Sequence, residues 1–148
     1  MDRTRAHEPN QLLQLLVERV ADGDVEGLVA LFEDDAALDT GGGVARGAAA
    51  LREFWDSFVA SGVAVEVGAQ SPPLIAGELA LTSTVMPDGG VTVEIARRQS
   101  DGSWRWVVDQ PSLNVTSRSA GAVAPDRLSA DADPRDHTAD DAESSTDD

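Results

Sequence analysis

The sequence predicts an α+β fold in which helices from the first half of the chain pack on one face of a curved antiparallel sheet built from the second half. Up to Gly62 the apolar residues recur at helical spacing, broken by one short strand; beyond it they recur at every second residue, between turns rich in Pro, Asp and Gly. The length of 148 residues suits one domain with a real core, and neither a repeat nor an interdomain linker divides it.

Asn10 stands before Leu12, Leu13, Leu16, Val17 and Val20, an amphipathic helix with Asn10 as its N-cap that breaks near Asp22-Gly23. Asp24 caps a second helix from Val25 to Phe32. Ala36–Thr40 is a strand, followed by a Gly41-Gly42-Gly43 loop. Leu51, Phe54, Trp55, Phe58 and Val59 mark a third helix from Gly47 to Ser61, ended by Gly62. Val63, Val65 and Val67 alternate as a strand closed by Pro72-Pro73. Leu74–Met86 is a long strand with a bulge near Gly77; strands Val91–Gln99 and Ser103–Gln110 follow the turns at Pro87–Gly90 and Asp101-Gly102.

Composition excludes several function classes. Eleven Arg and no Lys stand against 27 Asp and Glu, a net charge of -16, which repels nucleic acid and anionic membranes. There is no Cys, and the two His, His7 and His137, sit near opposite termini, so no metal site, cofactor or Ser-His triad is expected. No apolar run approaches the ~20 residues of a membrane span, and the first residues lack a signal-peptide stretch; the expected location is cytoplasmic. Residues 116–148 hold nine acids against three Arg and little apolar bulk beyond Val123 and Leu128, so they are expected to be a disordered acidic tail after a 1–115 domain.

The last hairpin places two acids together. If Asp101-Gly102 is a two-residue turn, residues whose numbers sum to 203 face each other, so Arg98 opposes Arg105, Ala96 opposes Val107 and Glu94 opposes Asp109. Facing acids have Cβ atoms ~5 Å apart, which strains a sheet and drives one of them to keep its proton. A protonated acid beside an ionised one can donate to one substrate oxygen while its partner removes a proton. Solvated acids at a sheet rim are the ordinary alternative.

Three stretches carry a family likeness. Gly23-Asp24…Leu28…Leu31-Phe32…Asp35-Ala36, then Arg46-Gly47…Leu51…Phe54-Trp55, then Asp101-Gly102-Ser103-Trp104-Arg105 resemble, in order and spacing, the nuclear transport factor 2-like superfamily, nearest its SnoaL-like and ketosteroid-isomerase-like branch. The likeness covers about residues 8–115. It implies a cone-shaped, cystatin-like α+β fold with its three helices on the concave sheet face, a pocket between them, and commonly a homodimer. Members include isomerases, cyclases, dehydratases and non-catalytic binding domains, so fold does not fix function. In ketosteroid isomerase the base is an Asp and the oxyanion hole a Tyr with a protonated Asp. By position the Tyr falls on Leu16, the base on Thr40 and the second Asp on Glu94, so one of three keeps its chemistry. SnoaL-like cyclases resemble this chain in a functional Asp near the end of the last strand, where Asp109 lies.

The expected catalytic pair is therefore Glu94 and Asp109, and the expected ligand lining is Leu16, Thr40, Trp55, Ser83, Ala96 and Val107. Under the 203 register Trp104, Trp106 and Val108 lie on the opposite, more apolar face. That face would need cover, which predicts a homodimer through Trp104 and Trp106. Asp34, Asp35 and Asp39 lack a calcium-loop pattern, Gly41–Gly43 lacks a phosphate-loop pattern and is expected as a lip over the pocket, and Arg46 either anchors an anionic group or pairs with acids. Three readings stay open: an acid/base enzyme for a small apolar substrate, a non-catalytic binding or dimerisation module, and a scaffold whose acidic tail recruits a basic partner.

Overall fold

In the computed structural model, residues 2–113 are described; residues 116–148, the expected tail, lie outside them. Helix α1 spans Gln11–Asp22, α2 Val25–Val29 and α3 Ala48–Ala60. The strands are β1 Phe32–Asp39, β2 Val44–Arg46, β3 Ala69–Gln70, β4 Leu74–Ala76, β5 Leu79–Val85, β6 Val91–Arg98 and β7 Trp104–Leu113. They form one curved sheet in the order β2-β1-β7-β6-β5-β3, with β4 also on β5. All pairs are antiparallel except β1 with β7, so the sheet is mixed where an antiparallel one was expected. The α+β class and its three helices hold.

Local chemistry explains the helix ends. Asp24 caps α2, its side chain accepting from Gly27 N–H at 2.9 Å. Asn10 stands at the cap of α1 without capping it: its amide donates to Ser71 O at 3.1 Å, and the side chain of Gln11 accepts from the N–H groups of His7 and Glu8 instead. Helix α2 stops at Val29, short of Phe32, because Leu31 O accepts from Trp106 N–H at 2.8 Å and Phe32 already pairs with Trp106. The sheet recruits residues that local propensity alone assigned to the helix.

The Val63–Val67 stretch forms no strand, and its outer valines stay exposed while Val65 packs on the core. Alternation makes a strand only where a neighbour offers its backbone, and the far edge of β5 is occupied by β3 and β4. The expected bulge near Gly77 is a full reversal: Ala76 pairs with Leu79, so Leu74–Met86 is a hairpin and not one strand.

The core lies between the helices and the inner sheet face. Leu12, Leu15, Leu16 and Val20 of α1 and Leu51 and Trp55 of α3 meet Phe32, Ala36, Leu38, Ala80, Ala96, Trp104 and Trp106. Phe32 sits centrally, its ring 5.2 Å from that of Trp106 and 6.1 Å from that of Trp55. The N-terminal segment closes the turn end of the sheet: Trp104 N–H donates to Ala6 O at 2.8 Å, Arg3 pairs with Asp24, and Arg5 pairs with Asp101. Among the described residues no helix is long and apolar enough to cross a membrane.

Candidate functional site

Two hairpins built alike decide which side chains share the inner face. The loops Pro87-Asp88-Gly89 and Ser100-Asp101-Gly102 each have three residues, closed by Met86 N–H to Gly90 O and by Gln99 N–H to Ser103 O. In both, the Asp carboxylate accepts from the N–H two residues on, Gly90 at 2.8 Å and Ser103 at 2.9 Å. In both, the Gly takes positive φ, 86° and 83°. This is the three-residue hairpin, a tight turn followed by a left-handed residue.

The two-residue turn expected at Asp101-Gly102 is thus corrected. Arg98 faces Trp104, Arg97 faces Arg105 and Ala96 faces Trp106, one residue off the expected register. A bulge then adds Val107 to β7, after which Ile95 faces Val108 and Glu94 faces Asp109. Loop and bulge offset each other. The acids oppose as expected, while Trp104 and Trp106 join them on the inner face, 3 % and 2 % exposed. A dimer through Trp104 and Trp106 therefore loses its basis, since both lie in the chain's own core. The choice between an apolar face and an acid-bearing face disappears with it.

Glu94 and Asp109 are 7 % and 6 % exposed. Glu94 accepts from the hydroxyl of Thr82, its cross-strand partner on β5, at 2.7 Å. Burial pushes the Glu94 carboxyl up, and the hydroxyls of Thr92 and Thr82 pull it part of the way back. Burial pushes Asp109 well above the usual carboxylate range, and the charge of Glu94 adds to the rise. The two titrate as a pair. Burial and coupling assign Asp109 the retained proton and leave Glu94, with its hydroxyl donor, as the better anion.

The other expected site residues divide. Leu16 and Trp55 are buried in the helix wall, and Ala96 is buried on β6, on the same strand face as Glu94. Three expectations are corrected. Thr40 is exposed at the tip of the β1–β2 hairpin, bonded to Gly43, while Leu38 takes the inward place beside Asp109. Ser83 pairs with Val93 and alternates to the outer face, because the three-residue loop at Pro87–Gly89 brings Thr82, not Ser83, opposite Glu94. Val107 is the unpaired bulge residue and lies outside the buried set formed by Trp106 and Asp109.

Two contributors escaped the sequence reading. Thr82 lies on the buried face of β5 with Ala80 and Thr84 while Leu79, Leu81 and Val85 are exposed, the reverse of the apolar-inward alternation the sequence suggests. Trp106 is the other: its indole N–H, like that of Trp55, is buried with no acceptor among the described residues. Asp34, Asp35 and Asp39 do not gather, Asp39 instead accepting from Gly41 N–H and from the Gln110 amide. Among the described residues, no group of three or more His, Asp or Glu could hold a metal ion. Arg46 is exposed, and Gly41–Gly43 forms the β1–β2 turn.

A model of the SnoaL-like domain matches residues 13–110. No curated protein sequence matches the chain. Solved structures agree in fold. A protein of unknown function with a cystatin-like fold from Nostoc punctiforme is 19 % identical, covering 72 % of this chain and 89 % of its own, with a TM-score of 0.57. A protein of unknown function from Mycobacterium tuberculosis is 24 % identical, with coverages of 78 % and 75 % and a TM-score of 0.54. A ketosteroid isomerase-like protein from Erwinia carotovora atroseptica is 17 % identical, with coverages of 68 % and 88 % and a TM-score of 0.54.

Proposed function

The chain belongs to the SnoaL-like domain family, and on that premise we propose that it holds a small, largely apolar organic molecule inside the cone, against the Glu94–Asp109 pair. The observation that carries this reading is the pair itself: two carboxyl groups facing each other on the buried side of a sheet, with threonine hydroxyls beside Glu94 and, among the described residues, no cation paired with either acid. Facing acids weaken a sheet, and burial adds several kcal/mol per ionised group, on the order of 3–5 when uncompensated. Such an arrangement persists where function retains it.

The chemistry is acid/base. Asp109, protonated, donates to an oxygen of the ligand while Glu94 takes a proton from it, the division of labour for an isomerisation, cyclisation or hydration. The apolar wall of Leu16, Phe32 and Ala96 supplies the ligand's hydrocarbon contact, and the free N–H groups of Trp55 and Trp106 favour a ligand with acceptor oxygens. Carboxyl NMR titration tests this. Both acids titrate above the ordinary range, and Glu94→Gln moves Asp109 downward. Two ordinary values near 4, indifferent to the partner's replacement, end the enzyme reading.

A second reading, a homodimeric binding module, draws support from the outer sheet face. There Leu79, Leu81, Val85 and Val108 are 41–48 % exposed in neighbouring rows. The occupant is a second copy, which offers the same apolar rows and lets both copies cover them isologously. Sedimentation velocity shows a dimer that Leu81→Lys converts to a folded monomer. A wild-type chain that sediments as a monomer at micromolar concentration rules the interface out.

A further inference from the structure

A cavity of about 660 Å³ lies at the turn end of the sheet, between the N-terminal segment and the β6–β7 turn. We propose that it binds a small organic oxyanion, a carboxylate or phosphate group received by Arg105 and Arg19. The proposal is independent of the acid pair and concerns a different part of the molecule.

The chain has eleven arginines and a net charge of -16, yet Arg3, Arg5, Arg19 and Arg105 all line this cavity, against the two carboxylates of Asp2 and Asp101. Two of the four are already matched: Arg3 makes a two-pronged pair with Asp24, 3.0 Å at each prong, and Arg5 pairs with Asp101. The other two have no close, two-pronged carboxylate partner among the described residues. Arg19 is 8 % exposed, and its Nη groups donate only to the backbone carbonyls of Gly27 and Thr4. Among the described residues it makes no ion pair.

Arg105 spends a single nitrogen. Its Nη2 donates to Phe32 O and reaches Asp34, whose side chain is 96 % exposed, at 3.5 Å. Among the described residues Nη1 makes no hydrogen bond, and Nε is buried without an acceptor. A guanidinium carries five donors in a fixed fork shaped to carboxylate and phosphate oxygens. A guanidinium with buried donors left unmet is costly, and an incoming oxyanion relieves that cost. The volume lies within the range of small-molecule sites, and the acidic remainder of the chain repels polyanions, leaving a small ligand as the occupant.

Isothermal titration of the full chain with inorganic phosphate and, separately, with citrate tests the proposal, at ionic strength matched with chloride. At least one oxyanion binds at millimolar concentration, and which of them binds tells a phosphate-bearing ligand from a carboxylate. Arg105→Gln weakens that binding roughly tenfold or more. Arg5→Gln, a surface change that leaves the Asp101 charge unmatched in the cavity, weakens it in the same direction and serves if Arg105→Gln does not fold. Arg52→Gln, away from the cavity and paired with Glu26, leaves it unchanged. The proposal is overturned if neither oxyanion binds, or if the folded variants bind as wild type does.

Discussion

Replacing Asp109 with Asn should flatten the pH dependence of stability. The buried carboxyl of Asp109 keeps its proton to higher pH than it does in the unfolded chain, because of burial first and the Glu94 charge second. Between the ordinary carboxylate range and its raised folded value, the native state binds a proton that the unfolded state has released. Stability is then fully present below the ordinary range and is lost as pH rises through the folded value. Each such proton contributes a slope of about 1.4 kcal/mol per pH unit. Glu94, also raised, adds a second contribution of the same sign. Asp109→Asn removes the first, so its slope is shallower than wild type by about 1.4 kcal/mol per pH unit wherever Asp109 alone holds its proton. Trp55, Trp104 and Trp106 are all buried and report unfolding. Urea melts followed by their fluorescence from about pH 5 to about pH 7.5 measure both slopes. General repulsion from the net charge acts on both proteins and largely drops out of the comparison. Equal slopes would refute the buried, proton-holding Asp109.

Three further outcomes follow from the turns and caps. Gly102→Ala meets no atom within 4 Å but must adopt φ of 83°, so it costs about 1 kcal/mol from backbone strain alone, read by urea unfolding. Asp24→Ala removes the Gly27 cap and the Arg3 partner, costing about 1 kcal/mol and lowering Tm by several degrees. Asp101 is held down to about 2 by the hydroxyl and N–H of Ser103 and by Arg5. Its contribution to stability is present above the ordinary carboxylate range and fades as pH falls towards 2. Ser103→Ala should raise its pKa, which carboxyl NMR resolves.

What the sequence made legible was whatever depends on neighbours along the chain. The Asp24 cap, the reach of α3 and the buried face Leu51 and Trp55 all follow from spacing within a few residues. What it concealed depends on partners far away. Val63–Val67 alternates like a strand, but the free side of β5 is taken by β3 and β4, and Phe32 leaves a helix because Trp106, 74 residues on, takes its backbone. The pairing of Glu94 with Asp109 was legible only through two errors of opposite sign, a loop one residue longer than expected and a bulge that restores the count. Ser83 depends likewise on a partner outside its own stretch: the register of the preceding hairpin sets Thr82, not Ser83, opposite Glu94.

The position of β7 has a consequence for how the chain is made. Among the described residues it is the last strand in sequence, yet it lies between β1 and β6 and is the only neighbour of β1 other than the three-residue β2. During synthesis the first helices and β1 emerge with their apolar faces formed and no sheet to receive them, and they must wait until residues near 109 have been added. Folding therefore depends on long loop closures late in the process, the regime of slow folding and exposed apolar intermediates. A nascent chain truncated before Trp104 should behave as a chaperone substrate, with completion of the final strand acting as the trigger that releases it.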